Sequence, residues 1–113
     1  MALPHAQPLD IIDVGPLAGG LKDAVSTSLI KTGCVQLLHL VMQAHEDQPE
    51  HHVHQECVIH CLEGIMEVVW SGGVRRLETG HLVVLSAQQK HSLRARTDCA
   101  VLVTLLLEKG DSS

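Results

Sequence analysis

The chain has no tyrosine, no phenylalanine and one tryptophan, Trp70. An aromatic core is therefore excluded, and the interior must come from Leu, Val and Ile, within an apolar fraction of 45%. There is no basic cluster beyond Arg75-Arg76 and the pair Arg94 and Arg96, and the net charge is −5. Nucleic acid asks for a basic surface, so it is excluded as a partner. The longest apolar run, VLVTLLL at 101–107, is too short to span a bilayer, so no membrane partner is expected. The start, MALPHAQPLD, lacks the basic and apolar regions of a secretory signal, which leads us to expect a cytoplasmic protein. The four cysteines, at 34, 57, 61 and 99, form no CxxC pair. In such a compartment they read as reduced, buried thiols.

What is abundant is histidine. Five of the nine fall between His45 and Glu63, in HEDQPEHHVHQECVIHCLE. Neutral imidazole is the commonest protein metal ligand. His52 and His54 are spaced to share one face of a strand, because strand side chains alternate. A third ligand must come from elsewhere, and His91 is the candidate. A polar, solvated loop rich in histidine is the plainer reading of the same segment.

A length of 113 residues suits one domain with a real core. Residues 1–22 carry three of the four prolines and read as an N-terminal arm, with a short strand over Leu9–Val14. Residues 23–108 read as the barrel and 109–113 as a tail. Strand candidates are Ser26–Lys31, Cys34–Gln43, Val53–Glu63, Ile65–Trp70, Val74–Leu77, His81–Leu85, His91–Arg96 and Cys99–Glu108. The polar segment His45–Glu50, interrupted by Pro49, reads as a loop. Short strands at spacings near ten residues, with Gly turns and no long helical period, indicate an antiparallel sandwich or barrel.

Two spans resemble the cupin superfamily. Its later motif is a Gly, five residues, Pro, one residue, Gly, two residues and His; Gly80-HLVVL-Ser86-Ala87-Gln88-Gln89-Lys90-His91 keeps the Gly, the spacing and the His. Ser86 and Gln88 stand where the family has Pro and Gly. The earlier motif is His-x-His, three or four residues, Glu, six residues and Gly; CLEG at 61–64 is similar to its ending. Counting back from Gly64 puts Cys57 at the Glu position and His51 and Val53 at the His-x-His. The visible pair, His52 and His54, is one position out of register, and Glu56 is one place early.

A one-residue slip reverses which side chains face inward. In one arrangement His51 and His91 face the interior beside Cys57 and the site is degenerate. In another, a bulge turns His52 and His54 inward to meet His91, with Glu56 as a fourth ligand. A mixed set of His51, His54 and His91 is the third.

The resemblance implies an all-β, antiparallel double-stranded β-helix, or jelly-roll barrel, of the RmlC-like type. It also implies a metal site drawn from His51, His52, His54 and His91, holding a divalent transition metal (Fe, Ni, Zn or Mn). Three His with Cys57 at the Glu position is similar to thiol dioxygenases, although a Cys–Tyr crosslink cannot form in a chain without Tyr. The expectation is a barrel binding a metal, a small-molecule ligand or both. The alternative is a metal-dependent enzyme of dioxygenase or isomerase type. His60, His39 and His81 read as packing, interface and turn residues, and Trp70 as a barrel-end residue. The apolar strands Cys34–Gln43 and Cys99–Leu107, with the arm, imply a homodimer.

Overall fold

The computed structural model describes residues 5–15, 25–51 and 54–107, with the backbone only at 49–51. The described residues form nine strands: β1 (Thr27–Lys31), β2 (Val35–Met42), β3 (Asp47–His51), β4 (Cys57–Glu63), β5 (Ile65–Trp70), β6 (Gly73–Glu78), β7 (Leu82–Leu85), β8 (His91–Ala95) and β9 (Cys99–Leu106). They make two sheets, ordered β1-β2-β9-β4-β7 and β3-β8-β5-β6. Every pairing is antiparallel. This is the expected all-β jelly roll, built as two facing sheets.

Alternation explains why these segments become strands. In β4, Cys57, Ile59 and Cys61 are buried while Val58 and His60 are half-buried on the other face. In β8, His91, Leu93 and Ala95 point inward and Arg94 is exposed. Between the sheets lie Met42, Ile59, Met66, Val68, Leu93 and Val101. The three inner thiols, Cys57, Cys61 and Cys99, join them. The missing aromatic volume is thus supplied partly by methionine and cysteine, and not by Leu, Val and Ile alone. Flexible thioethers fill irregular gaps that β-branched side chains leave.

Three segments depart from the sequence reading. The segment expected as a loop at His45–Glu50 instead contains most of β3, which pairs with β8. Pro49 is tolerated because β3 is an edge strand. The strand expected over Leu9–Val14 is absent: Leu9 has φ 78°, and Gln7 N–H donates to the Asp10 carboxylate at 2.8 Å. That local turn leaves Leu9 and Ile11 101% and 98% exposed. The arm still touches the sheet edge, through Ala6 N–H to Leu29 O at 2.9 Å and His5 Nε2 against Ser28 Oγ at 2.7 Å. Finally, β4 starts at Cys57 and not at Val53.

Two glycines turn the chain with backbone no other residue adopts freely. Gly64 joins β4 to β5 at φ 90°, and Gly80 leads into β7 at φ 89°. At the latter turn His81 Nδ1 accepts a hydrogen bond from Glu78 N–H at 3.0 Å, which is the turn role expected for His81. No helix among the described residues is long and apolar enough to cross a membrane.

Candidate functional site

The interior is not completely filled. A cavity of about 240 Å³ lies between the sheets. Its apolar walls are Leu38, Leu40, Ile59, Leu93, Val103 and Leu105, drawn from β2, β4, β8 and β9. Two polar side chains join them, His91 and Gln48. Gln48 is Cα partner to Leu93 across the β3–β8 pair.

His91 opens β8 and is 1% exposed. Its Nδ1 sits 3.0 Å from the Gln89 carbonyl oxygen. A carbonyl only accepts, so Nδ1 carries the proton, and in the neutral ring the lone pair lies on Nε2. A backbone carbonyl on one nitrogen is the usual way a fold fixes the tautomer of a working histidine. Gln89 is held in turn: its N–H donates to Ser86 O at 3.1 Å, closing a turn around Gln88. Gln88 has φ 62°, the left-handed backbone that suits the Gly of the family motif. The turn shape is kept although the Gly is not.

Among the other candidates, His51 ends β3 as the direct Cα partner of His91, and the pairing shifts register between Gln48 and His51. An irregularity is therefore present, but it lies upstream of His51. The His51 side chain and all of His52 lie outside the described residues. His54 is exposed in the bend before β4, and Glu56 is exposed beside it. Cys57 is buried at the start of β4, opposite both Leu85 and Leu105. Burial pushes its thiol pKa up, so it is a neutral thiol and a poor nucleophile or ligand at neutral pH. Burial likewise raises the thiols of Cys61 and Cys99.

The fit to a metal is thus incomplete on what is described. Among the described residues no three His, Cys, Asp or Glu side chains come together to hold an ion. His91 is the one candidate ligand whose side chain is placed in the interior. Gln48 was missed because its segment read as a loop around Pro49, and a neutral amide there gives no signal in sequence.

His60 and His39 belong to the opposite face of the five-stranded sheet. Register aligns Thr27, His39, Leu102, His60 and Leu82 in one row across it. His39 is 8% exposed, and its Nε2 has no hydrogen-bond partner among the described residues. Leu82, Val84 and Leu106, on the same face by alternation, are 55%, 54% and 44% exposed.

No family model matches the chain. No curated protein matches it either. Solved structures do. A protein of unknown function from Streptococcus pyogenes, SPY1581, superposes with TM-score 0.75 at 14% identity, covering 97% of each chain. A cupin superfamily protein from Desulfitobacterium hafniense gives TM-score 0.72 at 16% identity, over 96% of this chain and 97% of that one. An RmlC-like cupin from Desulfovibrio desulfuricans gives TM-score 0.69 at 24% identity, over 90% and 97%. Identities this low speak to architecture and not to activity. With the two-sheet topology and the Gly80–His91 spacing, they show that this chain has the RmlC-like cupin fold.

Proposed function

We propose that this small cupin-fold protein binds a compact, largely apolar small molecule in the cavity beside His91. The observation that carries this reading is the cavity itself: six aliphatic walls with one histidine and one amide. A few fixed polar groups in an apolar pocket are the usual composition of a ligand site. An apolar cavity of about 150 Å³ holds benzene, so about 240 Å³ suits a molecule of up to about ten non-hydrogen atoms. The Gln48 amide can serve a polar atom of the ligand beside the His91 ring. A thermal-shift panel of small alcohols, ketones and carboxylates tests this. At least one compound should stabilise the natural chain and stabilise Leu105→Trp less, because the larger ring takes up part of the cavity. Equal shifts in both proteins, or none in either, would remove the reading.

A metal-dependent enzyme is the second reading, and the register pairing of His51 with His91 favours it. Two histidines at paired backbone positions of adjacent strands are a natural start for a first-row metal site. Elemental analysis of protein purified without added metal separates the two. Stoichiometric metal that falls in His91→Ala but not in His60→Ala supports the metal reading; a metal-free protein supports the ligand reading. A symmetric dimer belongs to either reading, since the outer face bearing Leu82, Val84 and Leu106 is self-complementary in chemistry.

A further inference from the structure

A second concavity lies at the other side of the fold. There β6 ends the four-stranded sheet and β7 ends the five-stranded one, and the two edges are not hydrogen-bonded to each other. Between them is a cleft of about 180 Å³. Val68, Val83 and Leu85 form its apolar part, Trp70 and Arg75 stand at it from the β5–β6 hairpin, and Ser86 and Gln89 come from the loop before His91. It shares no lining residue with the interior cavity.

The Arg75 guanidinium carbon lies 4.9 Å from the centroid of the Trp70 ring. The stacking fixes a cation at the mouth of an apolar cleft. Neighbouring arginines are matched to carboxylates: Arg76 with Glu78 at 3.5 Å, and Arg94 with Asp47 at 3.3 Å and Glu67 at 3.9 Å. Arg75 has no carboxylate within salt-bridge distance among the described residues. Arg96, Lys31 and Lys90 likewise have no carboxylate within salt-bridge distance among the described residues, but Arg75 is the one of these cations stacked on an indole beside an apolar cleft, where its charge is available to an anion. The hairpin turn makes room for the indole. A Cβ at Gly72 would stand 2.5 Å from Trp70 Nε1.

We propose that this cleft binds a small cyclic or aromatic monocarboxylate. Its carboxylate would meet the Arg75 guanidinium, and its ring would pack on Trp70, Val68, Val83 and Leu85. Size agrees: a cavity of about 150 Å³ accepts a benzene ring, so about 180 Å³ takes one ring and leaves its carboxylate at the mouth, where Arg75 stands. The site is independent of the interior cavity and stands whether or not that cavity is filled.

Trp70 is the sole tryptophan, so intrinsic fluorescence reports on this cleft directly. Benzoate is titrated into the full chain, with calorimetry in parallel to catch binding that leaves the fluorescence unchanged. The expected result is saturable binding. Benzamide, the neutral analogue, and the exposed-site variant Arg75→Gln should each weaken it by at least about tenfold, the usual scale of a charge-assisted contact. His60→Ala, on the outer face of the five-stranded sheet and outside both cavities, should bind as the natural chain does. Absence of saturable binding up to about 10 mM, a range that covers even weak contacts, would overturn the proposal. So would benzamide binding as tightly as benzoate, or a response kept in full in Arg75→Gln, which would move the ligand away from the cleft.

Discussion

Gly64 and Gly80 share a backbone conformation but not a neighbourhood, so alanine at each separates two costs. Both have φ near +90°, at 90° and 89°. Alanine at either position enters left-handed space, at about 1 kcal/mol or somewhat more. Around Gly80 a Cβ would meet nothing within 4 Å. At Gly64 it would overlap the Asp98 carbonyl oxygen and stand 2.8 Å from Cys99 Cβ and 2.9 Å from Thr97 Oγ1. None of these can retreat easily. Cys99 is fully buried, and Thr97 Oγ1 accepts the Ile65 N–H at 3.0 Å. Forced overpacking adds about 1–3 kcal/mol. We expect Gly80→Ala to lose about 1 kcal/mol and Gly64→Ala about 3, a large part of the stability of a domain this size. In urea, with a slope of about 1.5 kcal/mol/M, the Gly64→Ala midpoint should fall by about 2 M, and that of Gly80→Ala by less than half as much. Equal midpoint losses with equal slopes would refute the account of how β4 meets the β8–β9 turn.

Other expectations follow from buried groups. The Cys99 thiol titrates near 9 when unfolded and is pushed up to about 12 by burial in the fold. The folded state thus favours the protonated thiol. That stabilisation is whole below pH 9 and is lost as pH rises from 9 toward 12, by about 4 kcal/mol in all. Alkaline unfolding curves of the natural chain and Cys99→Ala check it: parallel curves above pH 9 would count against it. His39→Leu should raise stability by about 1 kcal/mol, because it removes a buried nitrogen without a described partner; a loss measured by calorimetry would show that the ring has a role. Sedimentation equilibrium should find a dimer that Leu82→Glu with Val84→Glu dissociates; a monomer near 12.2 kDa at micromolar concentration would end the dimer proposal.

Much of the fold was legible because its signals are local. Alternation in Cys57–Glu63 and His91–Ala95, and turns at Gly64, Gly72-Gly73 and Gly80, need no partner to be recognised. The Gly80–His91 spacing brought out His91, which the structure places inside the cavity wall. What failed depends on tertiary context. β3 was hidden because Pro49 and polar residues read as a loop, yet an edge strand tolerates both. Leu9–Val14 looked apolar enough for a strand, but a local turn through Asp10 diverts it. The relation of His51 to His91 hinges on an irregularity between Gln48 and His51, and such a shift leaves no mark in composition. The Arg75–Trp70 cleft joins edges from different sheets, which no linear spacing reveals.

The central claim is that the cavity beside His91 takes a small ligand, and methyl-resolved NMR tests it most directly. Cyclohexanol, an apolar ring with one hydroxyl, is titrated into methyl-labelled protein. The account predicts saturable shifts in the Leu38, Leu93, Val103 and Leu105 methyls, which line the cavity, with those of core residue Leu77 unmoved. Non-saturable shifts, or shifts centred on the exposed methyls of Leu82 and Val84, would contradict it.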